Sequence, residues 1–275
     1  MVVPAQEPPS PGVSAIDACV QTKKRSASML SQSKRPPTMT TDSRPGNRIL
    51  GALPQEEFDR LRPHLREVSF NIGHIVYQPE EKIESVYFIN SGVVSWLAML
   101  EDGNTVEAGV IGPEGVAGVA ALLGAKSTPN QGLAQSDVVA SRIATRDLIG
   151  EFRRNGELNR MILRFIHSMF TQVTQTAACN RLHTLDQRLA RWLLMSHDRS
   201  GRDGFPLTQE FLSRMLGVRR AGVSVSANSL RQNGLIDYHR GNIEIVNRSG
   251  LEAATCECYQ IVKEEYEQTL PTSRK

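Results

Sequence analysis

The chain has 275 residues, 40% hydrophobic and 22% charged, which is the composition of an ordinary water-soluble protein of about two domains. No apolar run reaches the roughly 18–20 residues of a bilayer span, and no apolar block of about 7–15 residues follows the first basic residues, so the sequence reads as cytoplasmic with no membrane partner. The net charge of +3 hides a division: residues 47–150 carry 8 Lys and Arg against 13 Asp and Glu, residues 181–250 carry 11 against 6, so only the second region suits a polyanion.

Residues 1–46 are rich in Pro, Ser and Thr and poor in large apolar side chains, so they read as a disordered tail with a solvated basic cluster, Lys23-Lys24-Arg25. A short helix over Pro54–Leu61 is expected next. Segments with strand character follow: VSF, HIVYQ, SVYFI, GVVSWLAML, TVEAGVI and DVVASRI. Turn signals separate them, at Asn71-Ile-Gly73, Asn90-Ser-Gly92 and Asp102-Gly-Asn104. Short strands at roughly ten-residue spacing predict an antiparallel barrel or sandwich. The α+β reading therefore begins with a double-stranded β-helix, or jelly roll, over residues 47–150. Val86 and Phe88 alternate as strand residues should, as do Val93, Ser95 and Leu97, yet their neighbours are often apolar too. A barrel covered on one outer face explains that pattern.

From about Leu148 to Asn180 the period becomes helical, with Leu158, Met161, Ile162, Phe165, Ile166, Met169 and Val173 in one stripe. About 25 residues make a helix of about 38 Å, more than one small domain needs. Residues 151–182 therefore read as a dimerisation helix, with Leu158, Met161, Ile162, Phe165, Met169 and Val173 facing a second copy. The alternative is that the stripe packs on the barrel.

Residues 183–255 read as a winged helix-turn-helix, and residues 256–275 as a C-terminal helical tail. A helix from Asp186 to His197 leads to the loop SGRDGF. Thr208 suits the N-cap of the next helix, and Gly217 can take the left-handed conformation that ends it at Leu216. A second helix starts almost at once, with Val218, Val223 and Leu230 for its inner side. The N-terminal end of that helix is the part that enters a major groove, and here it carries adjacent arginines. Arg220 is the expected base reader, donating to guanine O6 and N7. Ser224 and Asn228 are expected beside it, with Thr208, Arg219, His239 and Arg240 on phosphates. His239 and Arg240 belong to a two-stranded hairpin over 237–246.

Cys19, Cys179, Cys256 and Cys258 lie in different segments with no CxxC pair or Cys/His ladder. They read as free thiols, with no metal or iron–sulfur cluster expected. Cys256-Glu-Cys258 offers two thiols, too few ligands for a metal. No nucleophile triad or phosphate loop is present, and a cupin-like metal site would have only His64 and His74 in the barrel, so catalysis is not expected. The competing reading is a small-molecule-sensing barrel with a protein-docking C-terminal domain.

The order barrel, long helix, winged helix-turn-helix resembles the cyclic-AMP receptor protein/FNR (CRP/FNR) family of bacterial transcription regulators. The resemblance covers roughly residues 47–250. It rests on Gly73-His-Ile-Val-Tyr77, Val86-Tyr-Phe-Ile-Asn-Ser-Gly92 and Asp102-Gly103, then on Leu207-Thr-Gln-Glu210, Leu216-Gly-Val218 and Gly234-Leu-Ile236. It implies a homodimer, a barrel that senses a small effector, a double-stranded DNA operator and RNA polymerase as a partner. The departures bear on the effector. Relatives that bind cyclic nucleotides carry a Gly-Glu pair and an Arg, whereas Val119 stands at the Glu position of Gly115-Val-Ala-Gly118-Val119. Between Lys126 and Ser141 there is no Arg, only Asn130 and Gln131. The expected effector pocket, Gly115, Gly118, Val119, Asn130 and Gln131, therefore lacks the cation a cyclic phosphate requires. The effector stays unknown and cyclic AMP is not expected. In the recognition helix Arg220 matches the family's first Arg, Ala221 replaces its Glu and Val225 its later Arg, which implies a different half-site.

Overall fold

The computed structural model describes residues 44–239 and 241–270. The expected tail falls outside them up to residue 43. Two short helices open the described chain, α1 (Arg48–Ala52) and α2 (Gln55–Leu61), the second running on into a 3-10 turn at Arg62–His64. Asn47 is fully buried, and its side chain anchors this start. Its Oδ1 accepts from the Ile49 and Leu50 amides, while its Nδ2 donates to the carbonyls of Ile89, Pro113 and Gly115.

Eight strands form the barrel: β1 (Arg66–Phe70), β2 (Ile75–Tyr77), β3 (Ser85–Ser91), β4 (Val94–Met99), β5 (Thr105–Ile111), β6 (Val116–Ala117), β7 (Asn130–Ala134) and β8 (Val138–Ala144). They make two antiparallel four-stranded sheets, in the orders β1-β8-β3-β6 and β2-β7-β4-β5. This is the expected jelly roll. Strand β7 was not legible in advance because Asn-Gln-Gly has little strand propensity. Its Gly132 sits opposite both Tyr77 and Trp96, and a Cβ there would lie 2.4 Å from the Tyr77 ring. The glycine is what lets that ring lie flat on the strand.

The expected single helical run is broken into α3 (Thr145–Phe152) and α4 (Glu157–Leu182). Asn155 takes φ 56° between them, so Glu151 and Phe152 belong to the first helix. The α4 N-terminus is capped from outside. Glu57 on α2 accepts from the Glu157 amide at 2.8 Å and the Leu158 amide at 2.9 Å. Burial opposes its charge, but these two bonds hold its carboxyl below the usual range.

Helix α5 (Leu185–Ser200) starts with a capping box between Thr184 and Gln187. After it come β9 (Gly204–Phe205), α6 (Gln209–Leu216), α7 (Arg220–Gln232), β10 (Ile236–His239), β11 (Asn242–Ile245), α8 (Arg248–Ala254) and α9 (Glu257–Thr269). The wing has three strands, ordered β10-β11-β9, because Gly204–Phe205 pairs with the expected hairpin. Helix α9 is not a free tail. It buries Cys258, Tyr259, Val262 and Tyr266, and the Tyr266 ring lies 6.4 Å from Phe165 on α4. One hydrophobic core runs from the barrel through α4 and α5 into the winged unit. No described helix is long and apolar enough to cross a membrane.

Candidate functional site

The α6–α7 unit is built as its sequence requires. Thr208 Oγ1 accepts from the Phe211 amide at 3.1 Å, and Gly217 closes α6 with φ 62°. Val223, Ser226, Ala227 and Leu230 bury the inner face of α7. Arg219, Arg220, Ala221, Val225 and Asn228 are exposed. Neither Arg219 nor Arg220 forms an ion pair among the described residues, and the first turn of α7 has no acidic residue. Free backbone N–H groups and two guanidinium groups thus share one helix end, which makes it an anion-seeking surface. Ser224 is half-buried and donates to Gln209 Oε1 at 2.6 Å, so its hydroxyl ties α7 to α6. His239 is exposed but lies 3.4 Å from Asp237. Arg240 lies outside the described residues.

This end of α7 faces the barrel. The Gly217 turn and Arg219 and Arg220 line a groove with Asn104, Thr105 and Val106 of the β4–β5 hairpin. A buried polar network holds the two parts together. Trp192 Nε1 on α5 donates to Glu107 on β5 at 2.8 Å, and Ser95 Oγ lies 2.6 Å from the other Glu107 oxygen. Ser95 also reaches Gln135 at 3.1 Å, and Gln135 Nε2 donates to Ser196 on α5 at 2.7 Å. Burial pushes the Glu107 carboxyl up to about 7, against the Ser95 and Trp192 hydrogen bonds. Nearby, Arg199 on α5 pairs with Glu114 at 2.7 Å, both side chains buried, beneath the Tyr266 ring. Arg188 donates to the Leu216 carbonyl at the end of α6.

The expected effector pocket is not assembled. Gly115 is occupied by packing, since a Cβ there would lie 2.5 Å from the Phe165 ring. Gln131 donates to Gln78 at 3.0 Å, and Asn130 lies at the start of β7. Only Gly118 and Val119 line a cavity, of about 30 Å³, closed by Tyr77, Trp96, Thr128 and Met169. Small-ligand sites occupy roughly 300–1,000 Å³, and no cation lines this one.

Residues 67–155 match the model of the cyclic nucleotide-binding domain and residues 187–254 that of the Crp-like helix-turn-helix domain, together more than half of the chain. The chain belongs to the CRP/FNR family. Solved structures share its fold at low identity. A CRP/FNR-family regulator from Eubacterium rectale has a TM-score of 0.60 at 16% identity, covering 74% of this chain and 94% of that one. FixK2 from Bradyrhizobium japonicum has 0.60 at 19%, covering 70% and 98%. The c-di-GMP responsive regulator CLP of Xanthomonas campestris has 0.59 at 16%, covering 70% and 99%. No curated protein matches the chain in sequence.

For this CRP/FNR protein the apolar stripe of α4 needs correction. Leu158, Met161, Ile162, Phe165 and Met169 are buried within the chain itself, against the barrel and α9. Helical periodicity reports an apolar face without naming what covers it, and here the protomer does. The surface left on α4 is a different one. Leu163 is 47% exposed and Phe170 66% exposed, seven residues apart, and Val173 is half-buried.

The described cysteines are free thiols, as expected, but they are not scattered. Cys179, His183, Cys256 and Cys258 bring one Sγ or ring nitrogen each to within 4.8 Å of one another. Cys179 Sγ lies 3.5 Å from Cys256 Sγ, and Cys258 Sγ lies 3.6 Å from His183 Nδ1. Among the described residues these four groups are placed so that they could hold a metal ion. The legible signal was Cys179-x-x-x-His183, whose i,i+4 spacing puts both on one helix face.

Proposed function

We propose that the chain is a homodimeric, sequence-specific DNA-binding transcription regulator that places two copies of α7 in successive major grooves of an operator. The supporting observation is the contrast at α7: a helix whose inner face is buried presents, at its N-terminal end, two arginines without an ion-pair partner among the described residues. Arg220 reads a base and Arg219 meets phosphate, with Thr208, Asn228, His239 and Arg240 around them. The partner copy packs on the Leu163–Phe170–Val173 face of α4, an apolar surface that the other described residues leave at least partly exposed. At a promoter the dimer meets RNA polymerase. The barrel transmits its signal through the seam with α5, where Glu107 and Gln135 meet Trp192 and Ser196. In the closed arrangement the β4–β5 hairpin stands against the base-reading end, so the winged unit swings away from the barrel before duplex enters.

Selection of bound DNA from a random duplex pool, at two salt concentrations, tests this reading. An enriched two-fold-symmetric sequence with half-sites about 10 bp apart is expected. Affinity is expected to fall linearly on a log–log plot against salt. No binding at either salt would overturn the reading in favour of a protein-docking C-terminal domain.

A further inference from the structure

We propose that Cys179, His183, Cys256 and Cys258 form a structural zinc site that fastens the entry and exit of the helix-turn-helix unit to one point. Three thiolates and an imidazole are a donor set zinc takes in closed, four-coordinate sites. A zinc ion with metal–sulfur bonds of about 2.3 Å and a metal–nitrogen bond of about 2.0–2.1 Å sets its tetrahedral ligand atoms about 3.5–3.8 Å apart. Two of the pairs already have that spacing, at 3.5 and 3.6 Å, and all lie within 4.8 Å. Closing on one ion needs shifts of about an ångström or less. A two-iron cluster would instead hold its ligand pairs apart on separate metals.

The surroundings support the same occupant. Cys179, Cys256 and Cys258 are buried and pack as a small cluster detached from the main core. His183 turns Nδ1 towards Cys258, while its Nε2 lies 3.4 Å from the Glu257 carboxylate. A carboxylate on the far ring nitrogen is how metal-bound histidines are oriented. Zinc with three thiolates and a neutral imidazole carries one net negative charge. Arg191 supplies a positive one: it is buried, its Nη1 donates to Thr176 Oγ1 at 3.2 Å, and its Nε–H has no acceptor among the described residues.

Placement gives the site its consequence. Cys179 lies in the last turn of α4 and His183 caps its end, in the short link to α5, while Cys256 caps the start of α9 and Cys258 lies in its first turn. Everything between His183 and Cys256 is the winged unit. The ion would close that whole segment into a loop, so that α4, α9 and the link meet at one rigid node. The test measures metal in tag-free, full-length protein after gel filtration. One zinc per chain is expected, lost in Cys258→Ser and His183→Ala and kept in Cys19→Ser. His183→Cys is expected to keep it as a four-thiolate site, which guards against variants that merely misfold. Cobalt exchanged into the wild-type protein is expected to give the visible bands of a tetrahedral thiolate complex. Protein that stays metal-free after incubation with zinc under reducing conditions would overturn the proposal. So would iron in place of zinc, a Cys179–Cys256 disulfide in the isolated protein, or zinc retained in both His183→Ala and Cys258→Ser.

Discussion

The seam between barrel and winged unit and the first turn of α7 hold similar side chains in opposite circumstances. At the seam Arg199 is buried against Glu114, Glu107 accepts from Trp192 and Ser95, and Gln135 spans to Ser196. At α7, Arg219 and Arg220 stand in solvent without an ion-pair partner among the described residues. A fold engages the polar groups it needs for itself, because a buried group left unpaired costs more than the pair gains. Cations left bare at a helix N-terminus, where the backbone already favours anions, are therefore addressed to something outside the chain.

The same contrast divides α4, and the largest predicted effect breaks it there. Phe165→Glu puts a charge among Gly115, Tyr266 and the barrel core, and is expected to cost more than about 4–5 kcal/mol and unfold the chain. Phe170→Glu lies on the bare face and is expected to leave the fold intact while yielding monomers in sedimentation. Phe165→Glu that folded normally and only dissociated would return the interface to the buried stripe.

Glu114→Ala comes next. It strands the buried Arg199 guanidinium and is expected to cost about 3–5 kcal/mol, measured by denaturant unfolding. A double replacement, Glu114→Leu with Arg199→Met, is expected to recover most of that, since it removes both charges. A single variant as stable as wild type would show that the pair does not hold the seam.

Glu107→Gln sharpens the comparison through pH. The Glu107 carboxyl, pushed up to about 7 by burial, binds a proton in the folded protein between about pH 4.5 and 7 that the unfolded chain has already released. Stability from this group is full below about pH 4.5, falls as pH rises and is lost above about 7. Ser95 Oγ lies within hydrogen-bond distance of both Glu107 and Gln135, and Gln135 Nε2 donates to Ser196, so one hydrogen-bonded chain crosses the seam. Glutamine keeps an acceptor for Trp192 and a donor for Ser95 without titrating. The variant is expected to match wild type near pH 5 and to exceed it by about 3 kcal/mol at pH 8. A difference that does not change with pH would mean that Glu107 does not titrate at the seam.

What was legible in the sequence follows the range of the interactions. The Thr208 cap and the Gly217 turn are decided within a few residues, and both stand where expected. Strand alternation in SVYFI reported a covered sheet for the same reason. The owner of the α4 stripe was not legible, because Tyr266, on a helix about 100 residues further on, covers Phe165. The effector pocket failed likewise: Gly115 is shaped by Phe165, which no local pattern pairs with it. Cys179 and Cys256 are 77 residues apart, so only the i,i+4 histidine hinted at their meeting.

The smallest effect is the most specific. Arg220→Ala removes a side chain with no ion-pair partner among the described residues, so folding stability is expected to change by less than about 0.5 kcal/mol. On the cognate operator it is expected to cost about 1–3 kcal/mol and to relax preference at one base pair. Arg219→Ala is expected to weaken all duplexes alike and to lower the salt slope by about 1, as the loss of a phosphate contact does. The two readouts separate a reader from an anchor although the residues are neighbours. Unchanged affinity in Arg220→Ala removes the reader. A clear loss of stability in either variant would show that the arginine has a partner within the fold, and the bare end of α7 would then no longer point to DNA.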